Sequence, residues 1–77
     1  MDISIADFII HVDESLPKEQ LDNLQELVRQ GQGVISANVS GKAPHLMLVT
    51  YNPDCTTSKE IMEAVKERGV HAESLGL

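Results

Sequence analysis

The apolar positions of this chain fall into six groups, and their spacing changes from group to group. The group that organises the others is Leu46-Met47-Leu48-Val49-Thr50-Tyr51, preceded by His45 and closed by Asn52-Pro53-Asp54. It is too short for a helix, rich in β-forming residues and ends on a turn signal, so it predicts a strand over 45–51. Apolar side chains occupy both parities, with Met47, Val49 and Tyr51 on one and Leu46 and Leu48 on the other. A strand with neither face clearly polar belongs inside a sheet, paired on both edges.

Upstream, Ile3 to Val12 predicts a first strand. Its core face is Phe8, Ile10 and Val12, because the other parity runs through Ile9, His11 and Asp13 and turns polar. Pro17 suits a first helical turn, and Leu21, Leu24, Leu27 and Val28 follow at helical spacing, with Asp22, Glu26 and Arg29 on the wet side. This helix spans 17–30. Gly31-Gln32-Gly33 stops it, one glycine being expected as the left-handed residue just past its end. Val34 to Val39 predicts a second strand, Ala37 and Val39 facing one way and Ser36 and Asn38 the other. The short Ser40–Pro44 connection makes a hairpin with the 45–51 strand. Thr57-Ser58-Lys59-Glu60 has capping-box spacing and opens a second helix, 57–68, with Ile61, Ala64, Val65 and Arg68 on its inner face and Gly69 at its end. Val70 to Leu75 is a weak last strand in which Val70 and Ala72 alternate with His71 and Glu73.

The order β-α-β-β-α-β, with right-handed crossovers and a central hairpin, predicts an α+β class split-βαβ, ferredoxin-like sandwich. Its four-stranded antiparallel sheet has the order 4-1-3-2, with both helices on one face. Residues 1–77 are read as a single domain, because a chain this short builds one economical core.

Charge and composition narrow the function. Twelve acidic residues against six basic ones give a net charge of −6, the wrong sign for nucleic acid and the right one for steering a basic partner. The single cysteine, Cys55, excludes an internal disulfide and any Cys-x-x-Cys pair. No apolar run approaches the roughly 18–20 residues of a membrane span, and no secretory leader is visible, so a cytoplasmic protein off the membrane is expected. No nucleophile–base grouping or glycine-rich phosphate loop appears, so an enzyme is not expected.

From Gly33 onward the chain resembles the heavy-metal-associated domain family of soluble copper chaperones and metal-pumping ATPase modules. The resemblance rests on Gly33-Val34 with Val39, Val49-Thr50-Tyr51-Asn52-Pro53-Asp54, Ser58, Glu60-Ile61, Ala64-Val65, Gly69, Ala72 and the ending Ser74-Leu75-Gly76-Leu77. Leu21, Leu24 and Val28 fall where that family's first helix places its core residues. The family implies a Met-x-Cys-x-x-Cys loop after the first strand, whose thiolates take soft Cu(I) or Zn(II). Here the cysteine positions fall at about Pro17 and Gln20, within Glu14-Ser15-Leu16-Pro17-Lys18-Glu19-Gln20. Neither ligand is present, and Lys18 adds a positive charge. No resident cofactor is therefore expected.

Substitute ligands for weak Cu or Zn binding are His71, Asp13, Glu14 and Cys55. Antiparallel strands put Cys55 at the sheet end opposite the 13–20 loop, where it would serve only between chains. His71 returns beside that loop, where some family members supply an auxiliary histidine, and His45 begins its strand near the same end. The alternative function is thus a Cu or Zn carrier or sensor built on these residues. The leading expectation is an interaction module acting through the helix-free sheet face, on a protein partner or a second copy. There Ile9, Leu46 and Leu48 come together on adjacent central strands, with His11 beside them.

Overall fold

The structure is a computed structural model describing residues 4–75. Its elements are β1 (Ala6–Val12), α1 (Lys18–Arg29), β2 (Val34–Val39), β3 (Leu46–Tyr51), α2 (Ser58–Glu67) and β4 (Ala72–Leu75). The sheet order is β2-β3-β1-β4 with every neighbouring pair antiparallel, which is 4-1-3-2 read from the other edge. Ile3, Gly76 and Leu77 lie outside the described residues; Ser4 and Ile5, expected in the first strand, precede β1, which begins at Ala6.

Alternation places the core as the sequence requires. Phe8, Ile10 and Val12 of β1 meet Met47 and Val49 of β3, with Ala37 and Ala72 on the flanking strands. Leu24 and Val28 of α1 and Ile61, Met62 and Val65 of α2 close over that face. The rings of Phe8 and Tyr51 meet edge to face at 5.7 Å, the geometry their quadrupoles favour.

Four local expectations are corrected. Pro17 is the N-cap of α1, not its first helical residue: its ψ of 154° is extended, although its carbonyl already accepts the Leu21 N–H at 3.0 Å. The inner face of α2 contains Met62, whereas Ala64 and Arg68 are exposed. Helix rotation follows the bulkier thioether, which buries more area than a methyl. No left-handed glycine directly follows α1. Its last turn tightens through Gly31 N–H to the Val28 carbonyl at 3.0 Å, and the left-handed residue is Gly33 (φ 85°), entering β2. The expected cap geometry occurs instead after α2, at Gly69 (φ 79°). β4 also starts later than expected, at Ala72, although Val70 packs against the core.

Edge strand β2 would leave backbone groups open to a foreign strand. Two side chains of α1 take them up: Arg29 Nε donates to the Ala37 carbonyl at 2.9 Å, and Gln25 Oε1 accepts the Val39 N–H at 3.0 Å. Half of the capping box also forms. Thr57 Oγ1 accepts the Glu60 N–H at 3.2 Å, while the Glu60 carboxylate accepts the hydroxyl of buried Thr56 at 3.1 Å. Thr57→Ala is expected to cost about 1 kcal/mol. In a domain of this size that lowers the melting temperature by roughly 4–8 °C, measured by circular dichroism.

Candidate functional site: the helix-free sheet face and its rim

The second parity of the central strands faces away from both helices. Leu48 stands opposite Ile9, and Ile9 opposite Leu75, so an aliphatic row crosses three strands. Beside it Leu46 stands opposite His11, which in turn stands opposite Glu73. Asp7 and Thr50 bound the other side, the Thr50 hydroxyl donating to Asp7 Oδ1 at 2.8 Å. Leu48 keeps 48% of its surface exposed and Leu75 42%, while Ile9 and Leu46 are half-buried. Ile9, His11, Leu46 and Leu48 thus lie together where alternation places them. Leu75 was missed, although its parity with His71 and Glu73 puts it on the same face.

The other candidates separate into two ends. Asp13, Glu14 and His71 are together, but bound to one another through the backbone. The Asp13 N–H donates to the His71 carbonyl at 2.8 Å, and Glu14 Oε1 accepts the His71 N–H at 3.0 Å. Asp13 Oδ1 also lies 3.0 Å from His11 Nδ1. These contacts brace the loop between β1 and α1 against the start of β4. Cys55 is exposed in the turn after β3. Since Ala6 pairs with Tyr51 and His11 with Leu46, the length of β1 separates it from Asp13, roughly 20 Å at the rise of a strand. Among the described residues, no three His, Cys, Asp or Glu side chains converge where an ion could be held.

A pairing that strand parity did not reveal lies at the rim. The His45 ring stacks on that of His11 with centroids 6.4 Å apart and planes inclined by 30°. His45 Nδ1 is 3.1 Å from the Val12 carbonyl oxygen. His45 lies just before β3, where the chain no longer follows the strand's alternation.

No protein-family sequence profile matches this chain, and no curated protein matches it in sequence. Solved structures do match in fold. A copper-binding domain from HMA7, a P-type ATPase, superposes with a TM-score of 0.80 at 18% identity, covering 91% of this chain and 93% of that one. The fold is that of the heavy-metal-associated domain. Oxidised MerP from Ralstonia metallidurans CH34 matches with a TM-score of 0.81 at 13% identity, over 92% of this chain and 97% of its own. The yeast copper transporter domain Ccc2a matches with a TM-score of 0.77 at 22% identity, over 90% and 93%. At such identities the likeness is one of architecture: the heavy-metal-associated fold is shared across nearly the whole of each chain. Among the described residues, no helix is long and apolar enough to cross a membrane.

Proposed function

We propose that this chain is a non-enzymatic, cytoplasmic interaction module: a heavy-metal-associated fold without the Cys-x-x-Cys site, which binds a partner protein through its helix-free sheet face. The observation that carries this reading is the Leu48–Ile9–Leu75 row with Leu46 beside it, open on a sheet whose other face packs against both helices. Asp7 and Glu73 lie on the strands beside the row, Asp13 contacts the flanking His11, and the chain carries a net charge of −6. A partner with an apolar centre and a Lys/Arg rim fits this surface better than an equally acidic second copy. Full burial of an aliphatic side chain contributes about 1.5–3 kcal/mol, whereas association costs an estimated 4–15 kcal/mol. Four such residues anchor an interface only with help from the charged rim. Dependence on salt follows.

Two measurements test the reading. The reduced protein is titrated with Cu(I) and Zn(II) against competing chelators. A 1:1 Cu(I) complex of sub-nanomolar Kd that survives Cys55→Ala would overturn it in favour of a metal carrier. In parallel, immobilised wild type and Leu48→Glu are compared for proteins retained from native extract. A protein held by the first and lost by the second at unchanged fold is the expected result. If Leu48→Glu instead abolishes self-association in sedimentation equilibrium, the occupant is a second copy. If it folds and changes no interaction, the sheet face is not the working surface.

A further inference from the structure

We propose that β4 is an acceptor edge for an extended segment of a partner protein, which joins the sheet as a further antiparallel strand. That segment carries an apolar residue followed two positions later by Lys or Arg. This edge is a separate surface from the sheet-face row and touches it only at Leu75. The direction of each backbone group follows from the ladder. The Asp13 N–H donates to the His71 carbonyl and the Val12 N–H to the His45 carbonyl, both at 2.8 Å. Bonded and non-bonded pairs alternate along antiparallel strands, so odd residues of β1 bond toward β4 and even ones toward β3. His11 pairs with Glu73 and Ile9 with Leu75, so Glu73 and Leu75 direct their N–H and C=O groups at β1. Ala72 and Ser74 turn theirs outward, to the edge.

The two edges of the sheet are finished differently. At β2 the same alternation turns Ala37 and Val39 outward, and α1 occupies the Ala37 carbonyl and the Val39 N–H through Arg29 and Gln25. α2 packs on β4 as α1 packs on β2. Among the described residues, however, no side chain bonds the outward groups of Ala72 or Ser74. An open groove of about 440 Å³ adjoins the start of the strand, with Lys66, Val70, Ala72 and Glu73 in its lining. Unpaired donors and acceptors along a sheet edge are a template for another strand. Charge selects the occupant. Two copies of β4 that pair antiparallel and use every outward group set Ala72 against Ser74, and therefore Glu73 against Glu73. Like charges directly opposite are destabilising, and each chain carries −6. A foreign strand can instead set Lys or Arg opposite Glu73 and an aliphatic residue opposite Leu75, two positions apart on one face. Leu75 is 42% exposed, so that contact also removes apolar surface from water.

The test immobilises the full chain, selects binders from a displayed library of random peptides, and titrates the most enriched one as a synthetic peptide. The expected consensus is apolar–x–Lys/Arg, and its binding shifts the amide protons of Ala72 and Ser74 and slows their exchange with solvent. Ser74→Pro removes an outward N–H but no bond to β1, a substitution that an edge strand tolerates. It should weaken binding at least about tenfold at an unchanged circular dichroism spectrum. Glu73→Lys should change the selected Lys/Arg to Asp/Glu. Leu48→Glu should leave peptide affinity as it is, which separates this edge from the sheet face. N-methylation of the peptide residue facing Ser74 should abolish binding, whereas N-methylation of the next, facing Glu73, should not. That pair of peptides decides the matter should Ser74→Pro fail to fold. Four outcomes overturn the proposal. The library yields no consensus, or affinity is undiminished in Ser74→Pro. Binding is lost in Leu48→Glu with no shift at Ala72 or Ser74, which leaves the sheet-face reading standing alone. Or the chain self-associates in sedimentation equilibrium and Ser74→Pro abolishes it, which makes the occupant a second copy.

Discussion

Met47→Glu is expected to abolish folding, while Leu48→Glu, one residue further along the same strand, leaves the fold intact. Met47 has no exposed surface and lies in the central strand between Ile10 of β1 and Val39 of β2. A carboxylate there would face Phe8, Val49 and the undersides of both helices without a partner charge. Desolvating an unpaired ion costs several kcal/mol even after relaxation, and the lost apolar burial adds about 1.5–3 kcal/mol. Against this stands a total stability of roughly 4–12 kcal/mol for a chain of this length, at about 0.05–0.15 kcal/mol per residue. The substitution consumes most or all of it. At Leu48 the new carboxylate stays in water, so only a partial burial is forfeited. Circular dichroism and amide NMR dispersion compare the two variants. A folded Met47→Glu with an unfolded Leu48→Glu would show that the sheet faces had been assigned the wrong way round.

The second large effect is expected at Gly33. A Cβ placed there would lie 2.7 Å from Cys55 Cβ and 3.1 Å from Thr56 Cγ2, and its φ of 85° is left-handed. Strain alone costs a non-glycine residue roughly 1–2 kcal/mol. The contact with Cys55 adds to this, because that Cβ is fixed to the turn backbone and cannot swing away. That turn is held in place by the Asn52 N–H donating to the Gly33 carbonyl at 2.8 Å. Gly33→Ala is therefore expected to destabilise by about 2–4 kcal/mol, read as a lower urea midpoint at unchanged m-value. Gly69→Ala isolates the strain, since its φ is 79° but a Cβ there meets nothing within 4 Å. Gly41→Ala isolates neither, and should be neutral or slightly stabilising through the unfolded chain. Equal losses at Gly33 and Gly69 would mean that the Cys55–Thr56 turn yields freely.

The sequence by itself determined the six elements, their order, the central position of the 45–51 strand and the buried parity of β1 and β3. Each follows from a local property: alternation has period two in a strand, helical stripes recur every three to four residues, and turn residues act where they stand. Even the bulk of the sheet-face candidates, Ile9, His11, Leu46 and Leu48, was legible, because parity within two paired strands is enough to group them. The tertiary structure decided what depends on register and rotation between distant segments. Leu75 joins the apolar row only because β4 pairs Leu75 with Ile9. Met62 displaces Ala64 from the core because α2 turns to suit the surface beneath it, not its own stripe. Gly33 needs its missing side chain because the turn after β3 folds back against it. Glu14 and Asp13 become braces, and His11 meets His45, because the ends of β1, β3 and β4 converge at one rim of the sheet. Such contacts are set by the summed packing of all the elements together, which no single stretch of chain encodes.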